Sequence, residues 1–405
     1  MKLFQPATFS TDWEIMVFDR QDRVVATDKV MGLAGALSRE LGLPIQVDDN
    51  TIECAMGVNS SYGQLRDRIV RVTDRAADVL GAYDLDLCPA ASHPVENLYN
   101  AAHIHVGTVT DEVEAIRLEQ QLIRYTPVFA ALAANSPLTN QRRGEYKSYR
   151  VRHRAHHCTF PAAVRNPELS QDCWGMDAGP KLRGASTVEV RITDSATSRL
   201  FLAELVTFVA ATLHTLGSRP LAAPITPMEY RDAMVNRWVA ARDGLQATLR
   251  WRGALRPVVD IIDEMLDDAH GAVAVAGAQR SDFALLNAML RKRICQADFA
   301  RDLASRYPDD YMLGSVYTKV MRHWDAFDGY LESAAPLDPI PAPDGEEILA
   351  IHRDYIGESS PLYHTRDAMG FPPPAADGVL AELMERGWVR RDEDPNRGTL
   401  LTRIA

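Results

Sequence analysis

The sequence contains no C-x-x-C pair, and its five cysteines are scattered through 405 residues. This spacing argues against a structural zinc site or a disulfide framework and favours reduced thiols in a cytoplasm. There is no apolar run of about 18 residues, and the opening MKLFQPATFSTDWE lacks a signal-peptide core, so we expect no membrane segment. Neither G-x-x-x-x-G-K-[ST] nor G-x-G-x-x-G occurs, which argues against Walker-type and Rossmann nucleotide binding.

Basic residues are also fewer than acidic residues. The chain carries 44 Lys and Arg against 55 Asp and Glu, a net charge of −11 at pH 7. This balance argues against nucleic acid or an anionic membrane as a partner. Hydrophobic residues at 46% and charged residues at 24% are ordinary for globular proteins. We therefore expect an acidic, soluble, cytoplasmic protein.

Hydrophobic periodicity predicts a mixture of strands and helices. Alternating patterns predict strands at 13–19, 45–58, 85–92, 101–109 and 187–192. Helical patterns cover 29–41, 60–84 and 111–137 in the first half, and 198–217, 227–245, 258–269 and 281–307 in the second. Asp111 is a candidate N-cap, and Pro127 is expected to break the third helix. The segment 139–186 is irregular and rich in Arg, His and Gly, which is typical of functional loops.

The last seventy residues differ from the rest of the chain in composition and in pattern. A proline-rich stretch at 336–346 is typical of a linker. Beyond it, helical patterns are followed by a charged hairpin, which favours a small winged-helix-like module. We therefore predict a catalytic domain at 1–335, a linker at 336–346 and the module at 347–405.

Acidic and histidine side chains recur in alternating pairs on the predicted strands. The pairs are Asp12 and Glu14, Asp49 and Glu53, His103 and His105, and Glu189 with Arg191. Any one pair is equally typical of a solvated sheet face. Four such strands within one half of the chain favour a shared surface for Mg²⁺ or Mn²⁺ and a nucleotide, because carboxylates suit these metals and arginines suit phosphates.

Several motifs together resemble a known family. They are DWEIMVFD, DDNTIEC, HIHVG, YTPVFAALAANSPLTN, YKSYR, TVEVRITDS and RDGL. The sequence from about residue 10 to about residue 250 resembles the bacterial glutamate–cysteine ligase type 2, or carboxylate–amine ligase, family. The resemblance implies an α+β fold with a glutamine-synthetase-like curved antiparallel sheet, flanking helices, and ATP with two or three Mg²⁺ ions.

The resemblance also implies roles for individual residues. Glu14 and Glu53 would bind one metal, while Asp12, one of His103 and His105, and Glu189 would bind the ion that bridges the ATP phosphates. Arg191 would contact the γ-phosphate or an acyl phosphate, and Arg150 would lie over the substrate or phosphate. His105 is also a candidate ATP contact, Asp49 an additional metal ligand, and Asp194 a brace for the strand end.

Some residues depart from the family pattern. Asp12 and Asp49 stand where the family usually has glutamate, which shortens each ligand by one methylene. The family also expects a compact D-x-R-P segment before TVEVR. Here the segment between Trp174 and Thr187 is longer, which leaves Lys181 or Arg183 as candidate substitutes for the arginine. We therefore expect a different substrate pocket.

Three functions follow as hypotheses. The first is ATP-dependent ligation of a small-molecule carboxylate, such as that of glutamate, to an amine. The second is a natural-product or peptide ligase whose substrate, a peptide or carrier protein, is presented by 347–405. The third is a nucleotide-binding regulator without turnover. The oligomeric state stays open, with a homodimer as one possibility.

Overall fold

The computed structural model describes residues 3–25, 27–48, 51–96, 98–139, 142–153, 177–182, 185–220, 226–357, 381–394 and 398–403. In these ranges the strands are β1 Phe4–Asp19, β2 Ile45–Asp48, β3 Thr51–Ala55, β4 Leu85–Cys88, β5 Ala102–Val109, β6 Leu138–Thr139, β7 Arg142–Arg143, β8 Ala178–Lys181, β9 Thr187–Val190, β10 Thr248–Trp251, β11 Ala254–Pro257, β12 Val389–Asp394 and β13 Gly398–Arg403.

The helices alternate with these strands in the first half and dominate the second. They are α1 Thr27–Leu41, α2 Tyr62–Gly81, α3 Glu112–Leu122, α4 Thr126–Ala133, α5 Tyr149–His153, α6 Arg199–Gly217, α7 Pro227–Asp243, α8 Val258–Asp268, α9 His270–Val275, α10 Ala284–Lys292, α11 Gln296–Arg306, α12 Asp310–Met321, α13 Ala326–Ser333 and α14 Gly345–Gly357. The predicted Asp111 cap is present, since its side chain accepts from the Glu114 amide at the start of α3.

The long strand β1 is the centre of a seven-stranded antiparallel sheet. The strand order is β2-β3-β1-β5-β9-β8, and β4 pairs with the last residues of β1. β5 pairs with the first part of β1, and β3 pairs with its middle. The 16 residues of β1 therefore pair with three strands. Because side chains alternate across a strand, every pairing fixes which residues share a face.

One face of the sheet is covered by helices α2 and α6. The apolar members of the alternating strands, including Trp13, Ile15, Ile104, Val106 and Val188, are fully buried on this side. α6 packs against both β1 and β5. It is long and apolar enough by length and composition to cross a membrane, but 78% of its most apolar window is buried inside the fold. It is the central helix of the core.

The structure corrects two predicted elements and adds others. The single strand predicted at 45–58 is a hairpin, because Asp48 pairs with Thr51 and the chain reverses between them. The helix predicted at 281–307 is two helices, since Arg293 adopts a left-handed conformation with φ 55° and ends α10. The hairpin β10–β11 and the edge strand β8 were not predicted.

The linker is fixed to the catalytic domain rather than extended in solvent. Residues 334–344 have no regular secondary structure, yet the Leu337 amide donates to the Lys292 carbonyl at 2.8 Å and the Ile340 amide to the Gln246 carbonyl at 2.7 Å. Beyond it lie α14, a short helix at 381–385 and the β12–β13 hairpin. The winged-helix arrangement and the domain boundaries stay predictions.

Candidate functional site

Six acidic and histidine side chains share the face of the sheet that the core helices leave uncovered. The register places Asp12 opposite His103, Glu14 opposite Glu53, and His105 opposite Glu189. Each pair alternates with core residues such as Trp13 and Ile104, so the six point away from α2 and α6. The sequence pairs therefore converge on one surface.

Asp49 lies outside the described residues, so its role as a metal ligand beside Glu53 stays a prediction. Arg183 and residues 154–176 of the irregular segment 139–186 also lie outside the described ranges.

Glu14, Glu53 and His103 form a compact group of ligand atoms. One oxygen or nitrogen from each lies within 4.8 Å of the others. The other oxygen of Glu14, Oε2, accepts a 2.6 Å hydrogen bond from the Ala101 amide, which fixes the carboxylate. Two carboxylates with an imidazole are a donor set that suits Mn²⁺ and also accommodates Mg²⁺. The geometry thus fits one divalent cation.

The two histidines differ in their surroundings. Burial, helped by the nearby cation of Arg191, holds the pKa of His103 well below its usual value, so its imidazole is neutral and retains a lone pair for a metal. Burial also acts on His105, but the hydrogen bond and charge of Asp12 outweigh it and raise the pKa of His105. The Nε2 of His105 lies 3.0 Å from Oδ2 of Asp12. Thus His103 belongs with Glu14 and Glu53, and His105 with Asp12.

Glu189 lies between the histidines and two cations. Its Oε1 is 2.7 Å from Nη1 of Arg191 and 3.5 Å from Nδ1 of His103, and its Oε2 is 3.6 Å from Nζ of Lys181. Glu189 is only 1% exposed. The charged face of VEVR is therefore a buried site and not a solvated sheet face. Lys181 and Arg183 are the two candidate substitutes for the displaced arginine. Of these, Lys181, on the edge strand β8, lies within the described residues.

Arg150 is held by the backbone next to the site. Its guanidinium donates to the carbonyls of Arg191 at 2.8 Å and Ile192 at 3.2 Å, and it is almost fully buried. It therefore fixes the backbone that carries Arg191. Direct contact between Arg150 and a substrate stays a prediction.

Asp194 joins two of the sequence motifs. Its carboxylate accepts from the Asn135 amide at 2.9 Å and from the hydroxyls of Ser136 and Ser148. Burial raises its pKa against the opposing charge of Arg150. The ANSP segment and the TDS segment are thus tied together behind the site, in the bracing role that the sequence suggested.

One buried ion pair next to the site was missed. Arg237, on α7, donates to both oxygens of Asp177 at 2.6 and 3.0 Å. The Asp177 carbonyl in turn accepts from the amides of Arg191 and Ile192. Because the partners are 60 residues apart and each lies in an unremarkable local sequence, no local pattern indicates the pair.

Comparison with known proteins shows to which sequences the chain is similar. Residues 95–154 match the model of the glutamate–cysteine ligase family 2. A protein of Chromobacterium violaceum named "Putative glutamate–cysteine ligase 2" is 24% identical over 376 residues, which cover 79% of this chain and 96% of that protein. One of the same name from Streptomyces coelicolor is 28% identical over 206 residues, which span 45% of this chain and about half, 55%, of that protein. The chain is thus similar to members of the glutamate–cysteine ligase 2 family, over residues 95–154 for the family itself and over most of its length for one relative.

Solved structures with a similar fold cover nearly the whole chain. Glutamate–cysteine ligase of Francisella tularensis, in complex with AMP, has a TM-score of 0.55 at 10% identity and covers 96% of this chain and 99% of its own. The complex of the ubiquitin-like protein Pup with its ligase PafA gives 0.52 at 12% identity, covering 98% and 87%. At these identities the likeness shows the fold, which is glutamine-synthetase-like as predicted.

Proposed function

We propose that the protein is an ATP- and Mg²⁺- or Mn²⁺-dependent carboxylate–amine ligase. The observation that carries the proposal is the sheet face opposite α2 and α6. On this face, buried carboxylates and histidines adjoin the cations of Arg191 and Lys181. A metal–nucleotide substrate requires this combination of hard oxygen ligands and phosphate-binding cations. The family and the fold support a carbon–nitrogen ligase.

The donor atoms divide into two sets. Glu14, Glu53 and His103 would hold one divalent ion, and Asp12 and Glu189, with His105 in its neutral form, would hold a second. When bound, such ions supply positive charge that offsets the charge of the ATP phosphates. In the structure described here, Arg191 is fixed by Glu189 on its side chain and by Asp177 on its backbone amide.

Amide formation then proceeds in two transfers. An oxygen of the substrate carboxylate attacks the γ-phosphorus of ATP, the bond to the bridging oxygen breaks, and ADP leaves. The amine nitrogen attacks the acyl carbon, phosphate leaves, and the nitrogen loses a proton. Arg191 and Lys181 stabilise charge on the transferring phosphoryl group, because fixed cations in a dry site need little rearrangement during reaction. Water has to be excluded, since it would hydrolyse the acyl phosphate.

We propose an amino-acid carboxylate such as that of glutamate as the first substrate to test. A peptide or carrier substrate is the second candidate, favoured by a contact between α14 and α5, the short helix that carries Arg150. Arg152, two residues from Arg150, lies 3.5 Å from Asp354 on α14. Of the structural neighbours, PafA is a ligase for the protein Pup.

The test is ADP release from Mg²⁺-ATP with a panel of amino acids and amines. We expect ADP to form only with a particular carboxylate and to be lost in Glu189→Gln, which keeps the shape but removes the charge. Glu40→Gln is the matched control, because Glu40 forms an exposed ion pair with Arg75 away from the site. ADP release that does not depend on any carboxylate, or that survives in Glu189→Gln, contradicts the proposal.

A further inference from the structure

A cavity separate from the metal-binding face lies at the junction between the catalytic domain and the C-terminal module. Its volume is about 470 Å³, within the roughly 300–1,000 Å³ typical of small-molecule sites. The walls come from α7, the β10–β11 hairpin, the linker and α14. None of its lining residues belongs to the metal-binding face.

The mouth of this cavity is apolar. Met228 on α7 is 66% exposed and Leu255 on β11 is 54% exposed, although both are large hydrophobic residues. Val235, Val239 and Ile348 also line the cavity. Apolar side chains exposed at the rim of a concave site are typical of a surface that binds something.

The cavity also contains a cation that forms no ion pair within the described part of the chain. Two arginines line the cavity, and they share one carboxylate, that of Asp232, which lies 3.3 Å from Arg250 and also interacts with the charge of Arg231. Within the described ranges, no carboxylate lies within ion-pair distance of Arg231, and its Nε is buried without an acceptor. His352, also in the wall, adds no charge, because burial and the cation of Arg231 lower its pKa to about 4. A buried guanidinium nitrogen without a partner is costly unless a ligand satisfies it.

We propose that this cavity binds a small apolar carboxylate, with its carboxylate on the Arg231 guanidinium and its hydrocarbon part against Val235, Val239 and Ile348. The guanidinium fork matches a carboxylate in shape and charge. The apolar mouth admits the hydrocarbon part. The inference goes beyond the ligase reaction, because the site is separate from the one proposed for ATP.

The test is calorimetric titration of the full chain with phenylacetate and with its neutral counterpart phenylacetamide. We expect phenylacetate to bind about tenfold more tightly than the amide, since one charge-assisted hydrogen-bond pair is worth roughly that factor. Arg231→Gln should remove the preference and Arg231→Lys should restore part of it. Leu255→Asp, at the exposed mouth, should weaken the binding of phenylacetate by charge repulsion. This variant replaces Arg231→Gln in the test if Arg231→Gln does not fold. Arg75→Gln, an exposed arginine elsewhere, should change nothing.

Two further arms separate the possible sources of the carboxylate and the two sites. Binding of N-acetyl-glycyl-leucine in place of phenylacetate overturns the small-acid inference and points to a peptide C-terminus. Glu189→Gln should bind phenylacetate unchanged, so loss of ligase activity and loss of this site are distinguishable. Equal affinity for acid and amide, no binding of either, or binding lost in Glu189→Gln but kept in Arg231→Gln also overturns it.

Discussion

Glu204 is a carboxyl group held inside the helical layer, on α6. It accepts from the amides of Leu285 and Leu286 at the start of α10. Burial outweighs these hydrogen bonds and raises the pKa of Glu204 to about 7. The folded protein therefore binds this proton more tightly than the unfolded chain, so its contribution to stability is present at low pH and is lost as pH rises toward 7.

The Glu204→Gln variant should remove that pH dependence, because glutamine keeps one acceptor for the Leu286 amide and does not ionise. Between pH 5 and pH 8, the free energy of unfolding of the wild type should fall relative to the variant by about 2 to 3 kcal/mol. Urea unfolding of both proteins at the two pH values measures this difference. A constant difference would mean that Glu204 has an ordinary pKa.

The ligand group of Glu14, Glu53 and His103 predicts metal binding that needs no substrate. Mn²⁺ should raise the melting temperature of the wild type, since a ligand at 100 times its Kd stabilises the folded state by about 2.7 kcal/mol. Glu53→Gln should lose most of that rise, whereas Glu40→Gln should keep it. Differential scanning fluorimetry with and without EDTA measures the effect. If Glu53→Gln responds to Mn²⁺ as Glu40→Gln does, the cation does not bind at this group.

The sequence reveals a site residue where that residue alternates with apolar neighbours along a strand. Asp12, Glu14, His103, His105 and Glu189 each lie on a strand where every second residue is polar, so a shared face followed from periodicity alone. Arg150 was recognised but its orientation was not, because its partners are backbone carbonyls 41 to 43 residues away. The Asp177–Arg237 pair depends wholly on tertiary contact.

Gly244 ends α7 in a conformation that only glycine adopts easily. Its φ is 54°, and a Cβ there would lie 2.8 Å from Sγ of Cys295 and 2.8 Å from Cδ of Lys147. Lys147 is fully buried and its Nζ pairs with Asp298, so it cannot move aside. Gly244→Ala should therefore destabilise the protein by about 2 to 4 kcal/mol, combining backbone strain with overpacking.

Gly253, in the β10–β11 turn, is the matched control for Gly244. Its φ is 83°, but a Cβ would meet nothing within 4 Å. Gly253→Ala should cost only about 1 kcal/mol, from the backbone strain alone. Guanidinium unfolding of both variants compares them. Equal losses would show that the side chains around Gly244 can rearrange.

Element boundaries were predictable where a strong local signal was present. Asp111 as a cap and Pro127 as a break gave α3 and α4 correctly. The sequence predicts one strand over 45–58 where the structure has β2 and β3, because apolar residues alternate in both segments and no local signal separates them. β8 was missed since AGPK has no strand-like alternation, and its position comes from pairing with β9.

The assembly of catalytic domain and C-terminal module could not be derived from composition. Proline-rich sequence predicts a semi-rigid spacer. The structure instead anchors it, since the Thr248 hydroxyl donates to the Ile340 carbonyl at 2.7 Å and the Gln246 side chain to the Asp338 carbonyl at 2.7 Å. An ion pair between Arg242 on α7 and Glu347 on α14 joins the two parts further. These contacts involve residues about a hundred positions apart, so no local rule predicts them.

Anchoring of the linker determines whether the molecule moves as one body or two. The Ile340 and Leu337 amides both donate to carbonyls of the catalytic domain, so both should be protected from hydrogen exchange. Thr248→Val removes the hydroxyl that holds the Ile340 carbonyl, which is worth about 1 kcal/mol, so the Ile340 amide should exchange about fivefold faster. Leu337, bound to Lys292, should not change. Exchange measured by NMR or mass spectrometry tests this, and an Ile340 amide unprotected in the wild type would mean that the module is freely tethered.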